Sequence, residues 1–180
     1  FAATDIAPGS YVHSHNMQFR EVDRDYAYAE EFKPLQMVPE AERASFMGIV
    51  RANGQVATRN FVGVLSTVNC SATVAHRIAE YFTAERLAEY PNIDGVAAFS
   101  HDTGCGMEMT GEPMDLLRRT MAGYARHANL AGAMIVGLGC ERNQIKGLMK
   151  EQQLDAGERL HLFTMQDSGG TRKTIEAGIA

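Results

Sequence analysis

Four short apolar runs, each followed by a turn and then by a helical pattern, decide what this chain can fold into. They are FVGVLSTV (61–68), GVAAFS (95–100), GAMIVGL (132–138) and LHLFTM (160–165). A strand that is apolar at successive positions buries both of its faces, as strands of a covered parallel sheet do. Between the runs the period changes. In SATVAHRIAEYFTAERLAEY, Val74, Ile78 and Phe82 recur at helical spacing and share one face. A second helix is predicted from about Pro113 to Asn129, because proline suits a first helical turn. A third is predicted after Asn143, and a fourth starts in DSGGTRKTIEAGIA, where the end of the chain is expected to cut it off. This alternation predicts a three-layer, Rossmann-like α/β domain with a mostly parallel sheet between helices.

The α/β pattern occupies residues 46–180. It opens with FMGIVRANGQVATRN, whose Asn53-Gly54 pair marks a turn between two short extended segments. Residues 1–19 read differently. APGS is a turn, and YVHSHNM alternates like a strand. One or two strands cannot make a sheet alone, so this piece is expected to end a small β domain whose earlier strands lie upstream. Residues 20–45 are charged, contain Pro34 and Pro39, and read as a linker with a short helix near Pro39.

Composition removes several classes of function. The net charge is −5 and no basic run occurs, which argues against a nucleic-acid partner. No apolar stretch approaches the roughly 20 residues that span a bilayer, so no membrane partner is expected. No secretory signal pattern is present, and three cysteines cannot all pair within the chain. Reduced thiols in a cytoplasm are the expectation. Assembly as a homo-oligomer stays open.

Those cysteines, Cys70, Cys105 and Cys140, each fall just past a predicted strand, at equal steps along the chain. Open parallel sheets bind ligands at the carboxyl ends of their strands. A thiol there, close to a helix N-terminus, is favoured as the thiolate, which binds soft or borderline metals. Three could hold an iron–sulfur cluster with an open iron, or a single metal with an open site. The alternative is that each is a small apolar packing residue, as cysteines often are. Other polar groups gather at the same end. Asn69 sits beside Cys70, His101 and Thr103 follow the second strand, and Glu141 and Asn143 follow the third. Gly170, Thr171 and Lys173 follow the fourth, where backbone N–H groups at a helix start can hold an anion. Arg59 precedes the first strand, at the opposite end unless the hairpin folds back. His13 and His15, two apart on an extended segment, would face the same way and could share a metal.

The segments DIAPGSYVHSHNM, VRANGQVATRNFVGVLSTVNCSATVAHRIA, HDTGCGM, GLGCERNQ and GGTRKTIEAGIA, in this order and over nearly the whole chain, closely resemble the altronate/galactarate dehydratase family of sugar-acid hydro-lyases. The resemblance implies that residues 1–19 end an N-terminal SAF-type (β-clip) domain and that the rest begins the catalytic region. Family members are much longer, so independent catalysis is not expected of this piece. The implied reaction removes water from an aldonic or aldaric acid to give a 2-keto-3-deoxy product, with dependence on iron, either as Fe2+ or in a cluster. Some relatives release sulfite from sulfolactate instead. The resemblance also makes His13 and His15 part of an N-terminal histidine motif that serves the site or a metal. The chemistry needs a base for the α-proton, for which His101 and Glu141 are candidates, and a Lewis acid for the departing hydroxyl, held by Cys70, Cys105 and Cys140. Carboxylates would be gripped by Arg59, Gly170 and Thr171, with Asn69, Thr103, Asn143 and Lys173 nearby. Two readings compete with this one. A sugar-acid-binding or assembly module without catalysis would hold no iron. A dinucleotide-binding domain is disfavoured because Arg142 replaces the third glycine of the fingerprint.

Overall fold

The computed structural model describes residues 1–21 and 33–180, so the linker expected at 20–45 lies partly outside the described residues. The described residues belong to two units, Phe1–Ala44 and Ser45–Ala180.

In the larger unit, β1 (Ile49–Val50) and β2 (Val56–Ala57) pair as the antiparallel hairpin that Asn53-Gly54 predicts, with Gly54 at φ +82°. The four apolar runs become β3 (Phe61–Ser66), β4 (Gly95–Phe99), β5 (Leu130–Gly137) and β6 (Leu160–Thr164). All pair in parallel, in the order β4-β3-β5-β6. Among them lie α1 (Asn69–Tyr81), α2 (Ala84–Leu87), α3 (Glu112–Ala125), α4 (Ile145–Glu151), α5 (Met165–Ser168) and α6 (Thr171–Ile179).

The continuous apolar runs are explained by two cores, one on each face of the sheet. Leu65, Ala133 and Ile135 pack with Met121, Ala122 and Leu148 of α3 and α4. Their neighbours Val64 and Val136 point the other way, onto Val74, Ala75 and Ile78 of α1. Leu65, Ile135 and Val64 are completely or almost completely buried. Each such side chain contributes on the order of 1.5–3 kcal/mol.

Two predicted helices are interrupted. The helix expected from Ser71 to Tyr90 stops at Tyr81, and Thr83 caps a new short helix by accepting the Arg86 N–H through its side chain. The helix expected after β6 divides at Gly169 and Gly170, both at positive φ, into α5 and α6.

In the smaller unit the strand predicted over YVHSHNM does not form. Residues 13–16 make a turn instead, and only an isolated bridge joins Ala2 to Met17. The cause is Asn16, which is buried. Its Oδ1 accepts the His13 N–H and its Nδ2 donates to the Tyr11 carbonyl. Asparagine side chains compete with strand ladders in this way. Near Pro39 a single 3-10 turn, Glu40–Glu42, stands where a short helix is expected. Among the described residues no helix is long and apolar enough to cross a membrane.

Candidate functional site

The three strands that precede the cysteines are adjacent in the sheet, with β3 in the middle. From β3 the chain crosses outward to β4 over the α1 face, then returns past β3 to β5 by way of α3 on the other face. The connections therefore diverge at the carboxyl ends of β3 and β5. Such a switch point leaves a crevice between loops.

The loops at this edge are hydrogen-bonded to one another. Asn69 N–H donates to the Thr103 carbonyl at 3.0 Å, joining the Cys70 and Cys105 loops. Arg142 and Asn143 N–H both donate to the Gly104 carbonyl, at 3.0 and 3.1 Å, joining the Cys105 and Cys140 loops. Gly104 lies at the centre, buried, with φ +95°. A Cβ there would stand 2.4 Å from the Thr67 carbonyl oxygen.

Cys70, Cys105 and Cys140 are all free and exposed. They are not core residues, and their exposure leaves the sulfurs accessible to a ligand. Cys70 lies in the first turn of α1, and its thiol donates to Asn69 Oδ1 at 3.6 Å. Their soft donor chemistry suits iron. However, among the described residues no three His, Cys, Asp or Glu side chains come together as a metal-ligand group. The donor type fits, and the described residues do not close a ligand set.

The two base candidates differ. His101 is half-buried. Its Nε2–H donates to the Ser66 carbonyl at 3.1 Å, and its Nδ1 accepts the Thr103 N–H through a long bond of 3.3 Å. Burial holds its pKa below the ordinary imidazole value of 6.5, against the opposing pull of the Ser66 carbonyl and Asp102. The ring is therefore neutral near pH 7. The unfolded chain takes up the proton first, so the contribution of His101 is complete above pH 6.5 and is lost as pH falls through the folded-state value. Urea midpoints measured from pH 8 to pH 5 are expected to fall less steeply in His101→Gln than in the parent; identical slopes would contradict this.

Glu141 is 3% exposed and fully engaged. Oε1 accepts from the Thr67 hydroxyl at 2.7 Å and from Leu138 N–H at 3.1 Å, and Oε2 accepts from Gly139 N–H at 2.5 Å. Its carboxylate thus holds the β5–α4 turn to the end of β3. Asn143 is also buried, bonded to Thr67, Gly104 and Arg118.

The remaining sequence candidates are dispersed. Asn69 and Thr103 are exposed on the cysteine edge. Gly170, Thr171 and Lys173 are exposed at the start of α6, beyond β6. That side is tied to β5 by Gln166 N–H donating to the Leu138 carbonyl at 3.0 Å. Between β5 and β6 lies a small polar cavity of about 190 Å³, lined by Gly139, Glu141, Gln144, Lys146, Thr164 and Gln166 among others. Arg59 is not part of this edge. Its N–H donates to Asn129 Oδ1, just before β5, at the amino end of the sheet. In the smaller unit His13 and His15 are exposed, with ring centroids 6.1 Å apart and planes at 26°. The turn around Asn16, rather than a shared strand face, brings them close.

Sequence reasoning missed Thr67, Gly104 and Arg118. For Arg118 a signal existed: it falls in the stripe Met114, Arg118, Met121, Ala122, at the spacing of a buried helix face. A cation in that stripe needs buried partners.

Residues 48–180 match the family model described as D-galactarate dehydratase/Altronate hydrolase, second domain. Altronate dehydratase of Escherichia coli (strain K12) is 33% identical over 180 residues, which cover 99% of this chain and 35% of that protein. Altronate dehydratase of Bacillus subtilis (strain 168) is 28% identical over the same shares. Galactarate dehydratase (L-threo-forming) of Escherichia coli (strain K12) is 29% identical over 83% of this chain and 29% of its own length. The chain thus spans about a third of the length of these curated relatives. No solved structure matches it significantly.

Proposed function

Because the chain belongs to the D-galactarate dehydratase/altronate hydrolase family, we propose that it forms part of an iron-dependent dehydratase of sugar acids of the altronate or galactarate type. The reaction takes a proton from the carbon beside the carboxylate and expels the neighbouring hydroxyl as water. The resulting enol tautomerises to a 2-keto-3-deoxy acid. The observation that carries this reading is the joining of three loops, each with an exposed thiol, around Gly104 at the carboxyl edge of adjacent strands.

Cys70, Cys105 and Cys140 are the residues that would hold iron; their thiols do not stand together as a ligand group among the described residues, so the three loops would have to draw in around the metal. Bound there, the metal would supply a Lewis acid for the departing hydroxyl. His101 is the better base of the two candidates. It is neutral, and the long bond to its Nδ1 is the one that substrate can displace. Glu141, with both oxygens engaged, acts by keeping the Cys140 loop in place. Asn69 and Thr103 face solvent beside the thiols and are suited to binding substrate hydroxyls. Thr171 and Lys173 are suited to a carboxylate. Arg59, at the amino end of the sheet, has no such part.

The full-length protein, prepared without oxygen and supplied with ferrous iron, is expected to convert altronate or galactarate to a 2-keto-3-deoxy acid detectable by NMR. Sulfite release from sulfolactate in place of water loss would shift the leaving group. No product from any of the three would overturn the reading.

A further inference from the structure

We propose that Arg118 and Asn143 are positioning residues that hold the three cysteine loops in register. The inference rests on the reading of that edge as the reaction site, and it adds a residue on α3 that sequence motifs do not reveal.

Arg118 is 4% exposed. Its Nη1 pairs with Glu151 of α4, and its Nε–H donates to Asn143 Oδ1 at 3.1 Å. Gly147 leaves room for the guanidinium, since a Cβ there would stand 2.7 Å from Nη2. Asn143 is fully buried and passes the connection onward. Its Nδ2 donates to the Thr67 carbonyl at 3.1 Å, and its backbone N–H donates to the Gly104 carbonyl at 3.1 Å. Thr67 leads into the Cys70 turn, Gly104 precedes Cys105, and Asn143 follows Cys140. One asparagine therefore touches all three loops, and one arginine fixes its amide.

Packing alone does not explain this arrangement. Glu151 is exposed, so its pairing with Arg118 is partly screened by solvent and does not by itself account for placing an arginine in the interior. α3 already supplies Met114, Met121 and Ala122 to the buried interior. What Arg118 adds is direction: it sets which way the Asn143 amide faces, and hence that its N–H2 meets Thr67. The β3–β5 ladder has its own bonds and does not depend on this chain of contacts. Loss of the lock should loosen the loops and spare the strands.

Hydrogen exchange by mass spectrometry on the full-length protein tests this, with Arg118→Met, Arg118→Lys and Asn143→Ala. Arg118→Lys keeps a cation near Glu151 and lacks the Nε donor. In all three variants, exchange in residues 67–72, 103–106 and 138–144 is expected to quicken about 10-fold, the scale of a lost buried hydrogen bond. Exchange in the interiors of β3 and β5 should stay at the parent rate. Turnover should fall about 10- to 100-fold, as for other residues that orient a site. Equal loss of protection in strands and loops, or no change in the loops, would overturn the proposal. Parent-like loop protection in Arg118→Lys would also overturn it, since charge pairing alone would then suffice. Exchange is read without turnover, so a protein that dehydrates no sugar acid would defeat the reaction assignment and leave the lock to be judged on exchange alone.

Discussion

Replacing Cys70, Cys105 or Cys140 singly by serine in the full-length protein is expected to lower bound iron and to reduce dehydration by about 100-fold or more. That is the upper end of what residues merely orienting a metal ligand produce. Serine nearly matches the shape of cysteine but stays protonated at neutral pH and offers a hard oxygen in place of a soft sulfur. All three thiols are exposed, so the fold should barely notice the change. Surface substitutions usually stay within about 0.5 kcal/mol. This separates the outcomes. Lost iron and turnover with an unchanged thermal midpoint identifies a ligand. Retained iron and turnover in all three variants would remove the thiols from the site.

Gly104→Ala is expected to be the most damaging small substitution at this edge. At φ +95° a side chain meets its own backbone, at a cost of about 1–2 kcal/mol. The added methyl also collides with the Thr67 carbonyl, and the backbone must move. Overpacking of that kind costs a further ~1–3 kcal/mol. Together these are a large share of the ~5–15 kcal/mol that holds a typical domain folded. Displacing Gly104 also breaks the two hydrogen bonds that its carbonyl accepts from Arg142 and Asn143 N–H, so turnover should drop with stability. Gly106→Ala is the control. Gly106 has negative or extended φ, and a Cβ there meets nothing within 4 Å, so the change should be nearly neutral. Urea denaturation of the two variants side by side measures the difference; similar midpoints would mean that the loops do not meet around Gly104 as described.

How much of this was legible in the sequence depended on whether a signal was local. The apolar runs gave the strands within one or two residues, because burial on both faces leaves no polar alternation to misread. The positions of the cysteines after those strands followed at once. Strand order did not, since nothing in GVAAFS says that it lies outside FVGVLSTV rather than next to GAMIVGL. Local chemistry also misled. YVHSHNM has the alternation of a strand, but the Asn16 side chain captures the His13 N–H and turns the chain. Thr83 ended a helix whose apolar face continued to Phe82. At the site, Glu141 and Asn143 looked like reagents because they are polar and follow a strand. Whether such a group faces solvent or is enclosed by neighbouring loops is decided by residues far away in sequence, Thr67 and Arg118 here.

The most direct measurement of the account is X-ray absorption at the iron edge of the full-length, anaerobically prepared protein. Sulfur scatterers in the first shell, diminished in each of the Cys70→Ser, Cys105→Ser and Cys140→Ser variants, are the expected result. Iron surrounded only by oxygen and nitrogen, with a spectrum that none of the three substitutions alters, would contradict it.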